Sequence, residues 1–269
     1  MSKSDEVFLF EQMDLPGEIP MNRYYDRVDI AKNLSRMRLG KERYRDISFD
    51  DAKLLFYKAI KPLGKDSQDY LRSAYEKIKI KRVPELRNGD AELVGNSKVQ
   101  NLYITNRALK DNDFIALVHE TGHAKAIMQG CNNDYFEYGE VLPIFLEYLG
   151  CKAIESKDAY ELFLMNRLNA VKKDALQFLS DKKAYRDRRT EQDLALLADM
   201  LYLFRYFIST DYVLQLIERF KQDYRAVIAG IDDYLVRQGT FRNLEDKLDI
   251  DTEDCRKLLK TANQFIRRN

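Results

Sequence analysis

The stretch "FIALVHETGHAKAIM", residues 114 to 128, contains both histidines of the chain, His119 and His123. Its apolar residues recur at helical spacing, and on a helix positions i and i+4 lie one turn apart on one face. His119 and His123 therefore point the same way, an arrangement in which two neutral imidazoles can grip one zinc ion. Glu120 is turned by about 100° from His119, where its carboxylate can take a proton from water activated by the metal. The bland alternative is two histidines on a helix surface by coincidence. A well-formed apolar helix and the order His-Glu-Thr-Gly-His weigh against it. Gly122 adds weak support: glycine costs helix stability relative to alanine, and close approach by another backbone is a natural reason to keep it.

A catalytic zinc needs three protein donors and an open fourth position. With no histidine left, the third donor must be a carboxylate or, failing that, a cysteine. Downstream, "YFEYGEVLPIFLEYLG", residues 135 to 150, offers Glu137, Glu140 and Glu147 on an expected helix. Glu140 and Glu147 share a face, and Glu137 stands one turn before Glu140. Spacing alone does not choose among them.

The rest of the chain sets the context. With 269 residues, 45% of them hydrophobic, it can bury a sizeable core. Its 45 basic and 44 acidic residues nearly cancel, so no general charge argument favours nucleic acid or an anionic membrane. Eleven glycines and five prolines are few for a sandwich or barrel built on many turns. The opening "MSKSDEVFLFEQMDLPGEIP" lacks the pattern of a signal peptide. Cys131, Cys151 and Cys255 form no CxxC pair, and unpaired thiols fit a cytoplasmic protein. The most lipid-like segment, "LALLADMLYLFRYFI" at residues 194 to 208, is interrupted by Asp199 and Arg205, so a buried helix is expected rather than a span.

Periodicity predicts a mainly helical chain with one small sheet. Residues 1–25 are expected to form an N-terminal arm and 26–269 a single domain. Helices are predicted over 26–38, over "SFDDAKLLFYKAI" with Ser48 as cap, and over "DSQDYLRSAYEKIKI". Residues 83–100 are rich in turn signals and can hold a hairpin, and "NLYIT" at 101–105 reads as a strand. Asn112 or Asp113 is expected to cap the histidine helix. Further helices are predicted at 135–150, from Ser156 towards Ser180, and from Thr190. "DKKAYRDRR" between these last two is taken as a solvated end or loop. Residues 209–237 read as helix broken near Gly230 or Gly239, and a last helix is expected at 252–266, announced by "DTED".

The passage "YITNRALKDNDFIALVHETGHA" resembles the strand and HExxGH helix of the thimet oligopeptidase and oligoendopeptidase F family of zinc metallopeptidases, which are gluzincins. "GEVLPIFLEY" is similar to that family's next helix, where one glutamate is the third zinc ligand and another acid follows seven residues later. "SFDDAKLLFYKAIKPLGKDSQDYLRSAYEKI" resembles the helical stretch that precedes the family's catalytic core, and "LYLFRYFISTDYVLQLIERF" resembles its late helix whose tyrosines face the substrate. The likeness runs over roughly residues 45–265 and is strongest at the histidines. It implies a zincin-like helical catalytic domain whose small sheet lies beside the HExxH helix, with one Zn2+ per chain held by His119, His123 and Glu140. Glu147 would be the supporting acid, and Glu120 the general base for hydrolysis of peptide bonds in oligopeptides. A tyrosine, Tyr206 or else Tyr202, would stabilise the oxyanion, a role suited to a donor opposite the metal. The strand "NLYIT" could bind extended substrate along its edge, with Tyr103 bordering the cleft.

Three departures accompany the resemblance. Family members are much longer, with a second helical portion that walls a deep channel; this chain keeps mainly the catalytic half. A homo-oligomer or a partner could complete that wall. The family's histidine near the substrate tyrosines has no counterpart here, and the His123-to-Glu140 spacing is shorter. The alternative function is a catalytically weak peptide- or protein-binding module, though such a module has no physical need for Glu120. A third possibility is another zincin-type hydrolase that converged on the same motif.

Overall fold

The computed structural model describes residues 21–37, 45–86, 91–95, 100–105, 109–129, 139–154, 158–188, 192–237, 239–252 and 255–268. These form helices α1 (Met21–Ser35), α2 (Phe49–Ile60) and α3 (Lys65–Lys77), then strands β1 (Ile78–Val83), β2 (Ala91–Gly95) and β3 (Gln100–Thr105). Helices α4 (Asp111–Gly122), α5 (Ala124–Gln129), α6 (Val141–Ile154), α7 (Ala159–Arg188) and α8 (Gln192–Gln222) follow. The described chain ends with α9 (Tyr224–Val236), α10 (Phe241–Leu248) and α11 (Arg256–Arg268). The expected class, mainly helix with one small sheet, is the one observed.

Helix α6 is the axis of the core. Every residue from Val141 to Cys151 is buried, as a helix apolar on all sides should be. It packs against α2, α4, α7 and α8. Glu147 is the one charged residue in that buried run. Buried apolar residues of α1 to α11 join in one cluster with Leu102 and Ile104 of β3. The lipid-like tract lies within α8, where Phe207 and Ile208 are buried in this core. Among the described residues no helix is long and apolar enough to cross a membrane.

The sheet has the order β1-β3-β2, with β1 parallel and β2 antiparallel to β3. A hairpin thus forms within the turn-rich region, and "NLYIT" is a strand. That strand is nevertheless central. Pairing runs along both its sides, from Gln100 to Thr105 against β1 and from Gln100 to Ile104 against β2. The expectation that an extended substrate binds along its edge is corrected, because its backbone groups are already committed to the two neighbours.

Other boundaries move for identifiable reasons. "IKI" leaves the α3 helix and starts β1, where its period-2 pattern pairs with β3. The cap of α4 is Lys110 rather than Asn112 or Asp113; Asp113 instead reaches back to accept from the Lys110 N–H at 2.6 Å. Ser48 caps α2 as predicted, accepting from Asp51 N at 3.1 Å. Helix α7 continues to Arg188 through most of the expected polar loop. The break after α8 falls at Asp223, whose side chain accepts from Ala226 N, while Gly230 lies inside α9. Helix α11 starts later than expected, and its end is capped from a distance: Asp211 on α8 accepts from Leu258 N at 2.6 Å. Thr190, Cys131 and Glu137 lie outside the described residues.

Candidate metal centre

Helix α4 carries His119 and Glu120, and ends at Gly122. His123 is its C-cap, with φ −73° and ψ 33°, and α5 begins at Ala124. The motif therefore spans a helix end rather than an unbroken helix. A packing constraint sits at the same point: a Cβ on Gly122 would stand 2.5 Å from Pro143 Cα and 2.8 Å from Pro143 N. The backbone approach expected for Gly122 is with the first turn of α6, where proline is tolerated. The imidazoles still converge, with ring centroids 5.4 Å apart at 77°.

Glu140 stands just before α6, and its carbonyl accepts from Ile144 N. A carboxylate at a helix N-terminus is favoured by the helix dipole. Its side chain is fully buried, with Oε2 3.2 Å from His119 Nε2 and 3.7 Å from His123 Nε2. Metal bonds of about 2.0–2.1 Å in tetrahedral geometry separate two donors by about 3.4 Å. The observed spacings bracket that value. Among the described residues, His119, His123 and Glu140 form a cluster whose ligand atoms lie within 4.8 Å of one another, so together they can hold a metal ion. The donor chemistry, two imidazoles and one carboxylate, suits zinc. Neither Glu140 oxygen makes an aligned hydrogen bond; a buried carboxylate has to be paired, and with Arg205 facing Oε1 it is Oε2 that is turned to the two imidazoles, where an ion could sit.

Glu147 lies two turns along α6 and meets the other side of the same imidazole, its Oε1 2.7 Å from His119 Nδ1. With Nδ1–H donating to Glu147, Nε2 is left as the ligand atom. Arg167 on α7 holds Glu147 Oε1 at 3.2 Å and lies 3.8 Å from Asp174. Arg205 on α8 approaches Glu140 Oε1 at 2.5 Å. Both arginines contact Tyr206, each guanidinium 5.4 Å from its ring centre. The two arginines escaped the sequence reading. The available signal was a charged residue inside each of two apolar helical tracts, "LFLMNRLNAV" and "LYLFRYFI".

These contacts set the charges. Burial lowers the His119 basicity, but the carboxylates of Glu140 and Glu147 outweigh it and raise its pKa to about 10. His123, with burial dominant, is lowered to about 4. Burial acts to raise Glu140, yet His119, His123 and Arg205 hold it well below the usual carboxylate range. Glu120 is pushed up to about 7, mainly by burial.

Of the residues singled out in the sequence, the structure gathers His119, His123, Glu140 and Glu147, with Glu120 beside them on α4. Tyr206 adjoins the group through its arginine neighbours. Tyr202 lies on the same helix, but its side chain is outside the described residues. Tyr103 is half-buried on β3, paired with Lys81 of β1.

No protein-family model matches the chain, and no curated protein matches it. One solved structure does, described as "putative peptidase from Chlamydophila abortus": 14% identity and a TM-score of 0.56 over 93% of this chain. The aligned region covers 55% of that protein, so this chain spans about half its length. At such low identity the likeness establishes a shared peptidase-like fold.

Proposed function

We propose that the chain is a zinc-dependent metallopeptidase that hydrolyses peptide bonds in oligopeptides, a short and distant relative of the thimet oligopeptidase and oligoendopeptidase F group. One observation carries this reading. A fully buried carboxylate, Glu140, converges on both imidazoles at 3.2 and 3.7 Å, with Glu120 beside them on the same helix.

His119, His123 and Glu140 would hold the ion. Bound zinc supplies a Lewis acid that acidifies water and polarises a peptide carbonyl. Glu120 accepts a proton from the attacking water on its carboxylate as the new C–O bond forms. It then delivers that proton to the amide nitrogen as the C–N bond breaks, so atoms and charge balance. Tyr206, with Tyr202 as second choice, donates a hydrogen bond to the oxyanion. Glu147 fixes the His119 ring. An extended substrate would pair with an outer strand of the sheet, β1 or β2, because β3 is enclosed; Tyr103 would then act through its side chain alone. A cytoplasmic setting belongs to the same proposal, in keeping with three cysteines that form no CxxC pair.

The test pairs metal analysis with a peptide-library digest read by mass spectrometry. About one zinc per chain and chelator-sensitive cleavage are expected. Glu120→Gln should keep its zinc and lose cleavage by roughly 10²–10⁴-fold. Cleavage by that variant at the parent rate would show that another group is the base. A library left intact by zinc-loaded parent protein would favour the binding-module alternative.

A further inference from the structure

Glu140 has two oxygens and both could bind one ion, which would fill the position that a reacting water needs. The surroundings treat them differently. Oε2 faces His119 Nε2 and His123 Nε2, whereas Oε1 faces Arg205 Nη2 at 2.5 Å. Glu140 is fully buried and the Arg205 side chain is 17% exposed, so water does not readily substitute for the guanidinium. Arg205 is itself held. Its guanidinium lies 5.4 Å from the Tyr206 ring centre, and Arg167, which grips Glu147, sits at the same distance from that ring. Each arginine thus has a carboxylate to pair with and shares contact with one aromatic ring.

We propose that Arg205 is a positioning residue that occupies Glu140 Oε1 and confines metal binding by this carboxylate to Oε2. The site then offers three protein donor atoms and keeps a fourth position open. Without Arg205, a buried carboxylate with a free second oxygen turns to chelate the ion through both, and coordination rises by one. The contact is a close ion pair at a buried carboxylate, and partners behind a ligand govern its orientation. The inference rests on the metal reading of His119, His123 and Glu140. It adds a residue to that reading and a reason for its place.

The experiment replaces zinc with cobalt(II) in the full chain and records the visible absorption spectrum, which reports coordination number without any turnover. Four-coordinate cobalt(II) absorbs intensely in the visible, and five-coordinate cobalt(II) weakly. The parent should show the intense four-coordinate bands. Arg205→Met should lose them in favour of the weak pattern, while Arg205→Lys, whose ammonium can still engage Oε1, should restore them. Should Arg205→Met fail to fold by circular dichroism, Arg205→Gln gives the same comparison, since its amide is too short to reach Oε1. A parent that binds no cobalt overturns the metal reading itself. A parent that binds cobalt with a five-coordinate spectrum overturns the Arg205 proposal alone. So do folded Met or Gln variants with the parent spectrum, or an Arg205→Lys spectrum like that of the neutral variants.

Discussion

Gly122 connects the histidine motif to the packing of the whole core, and Gly122→Ala tests that connection. The new methyl carbon would lie 2.5 Å from Pro143 Cα and 2.8 Å from Pro143 N. Carbon atoms in ordinary contact are about 3.5–4.0 Å apart, so α4 and α6 must part by about 1 Å at their crossing. Backbone atoms cannot rotate aside as a side-chain tip can. Overpacking of this kind costs about 1–3 kcal/mol, offset by up to about 1 kcal/mol of gained helix propensity. A net loss of up to about 2 kcal/mol remains after the full gain is subtracted, and at about 2–4 °C per kcal/mol for a chain of this size the melting temperature should fall by up to about 8 °C. The site should suffer as well. His123 adjoins Gly122 and Glu140 lies one turn from Pro143, so parting the helices lengthens the 3.7 Å gap between His123 Nε2 and Glu140 Oε2. Zinc affinity, measured by competition with a chromophoric chelator, should drop at least about tenfold, in the range seen when a ligand loses its support. Gly150→Ala is the control. Its Cβ would meet the end of the Ile115 side chain at 3.1 Å and Phe114 at 3.5 Å, contacts that rotamer changes can relieve. Parent-like melting and zinc affinity in Gly122→Ala would refute the argument that this glycine sets the spacing of the two helices.

Glu147→Gln should weaken zinc binding by about 10–100-fold while circular dichroism stays unchanged, because it loosens the hold on His119 Nδ1; equal affinity would show that the 2.7 Å contact orients nothing. Zinc removal by chelation should leave the chain folded, since His119 and Glu140 keep charged partners in Glu147 and Arg205. A melting scan should then show only the loss of binding energy, about 4 kcal/mol where zinc had stood at a thousand times its Kd; complete unfolding would mark the metal as structural. Asp211 supplies a pH test, because burial outweighs its hydrogen bonds to Leu258 and Gln215 and raises its pKa to about 6. A carboxyl protonated more readily in the folded state adds stability below pH about 4 and loses it as pH rises through about 6. From the ordinary value of 3.8 the swing is at most about 3 kcal/mol. Asp211→Asn should therefore gain stability relative to the parent between pH 4 and 7 in urea unfolding, and a parallel pH profile for the two proteins would contradict this.

The histidine part of the candidate metal site was legible in the amino-acid order because its residue pattern is local. His119 and His123 are one turn apart in any helix, Glu120 follows the first by chain connectivity, and Ser48 caps α2 through a bond to a residue three places on. Such relations depend on helix geometry alone, and so does the strongly helical character of the chain. What tertiary structure decided depends on residues far apart in sequence. Spacing left Glu137, Glu140 and Glu147 open; the approach of α6 to α4 at Gly122 brings Glu140 to Nε2 of the His119 ring and Glu147 to its Nδ1. "IKI" became a strand because β3 offers it a partner twenty-two residues away, at Ile78↔Gln100. That same pairing encloses "NLYIT" and removes the edge expected of it. Arg205 read only as an interruption in an apolar helix, and Arg167 drew no reading at all, until folding set each against a buried carboxylate. The physical reason is common to all of these: a charge in an apolar helix or a glycine at a crossing gains its meaning from the group opposite, and only the packed core determines which group that is.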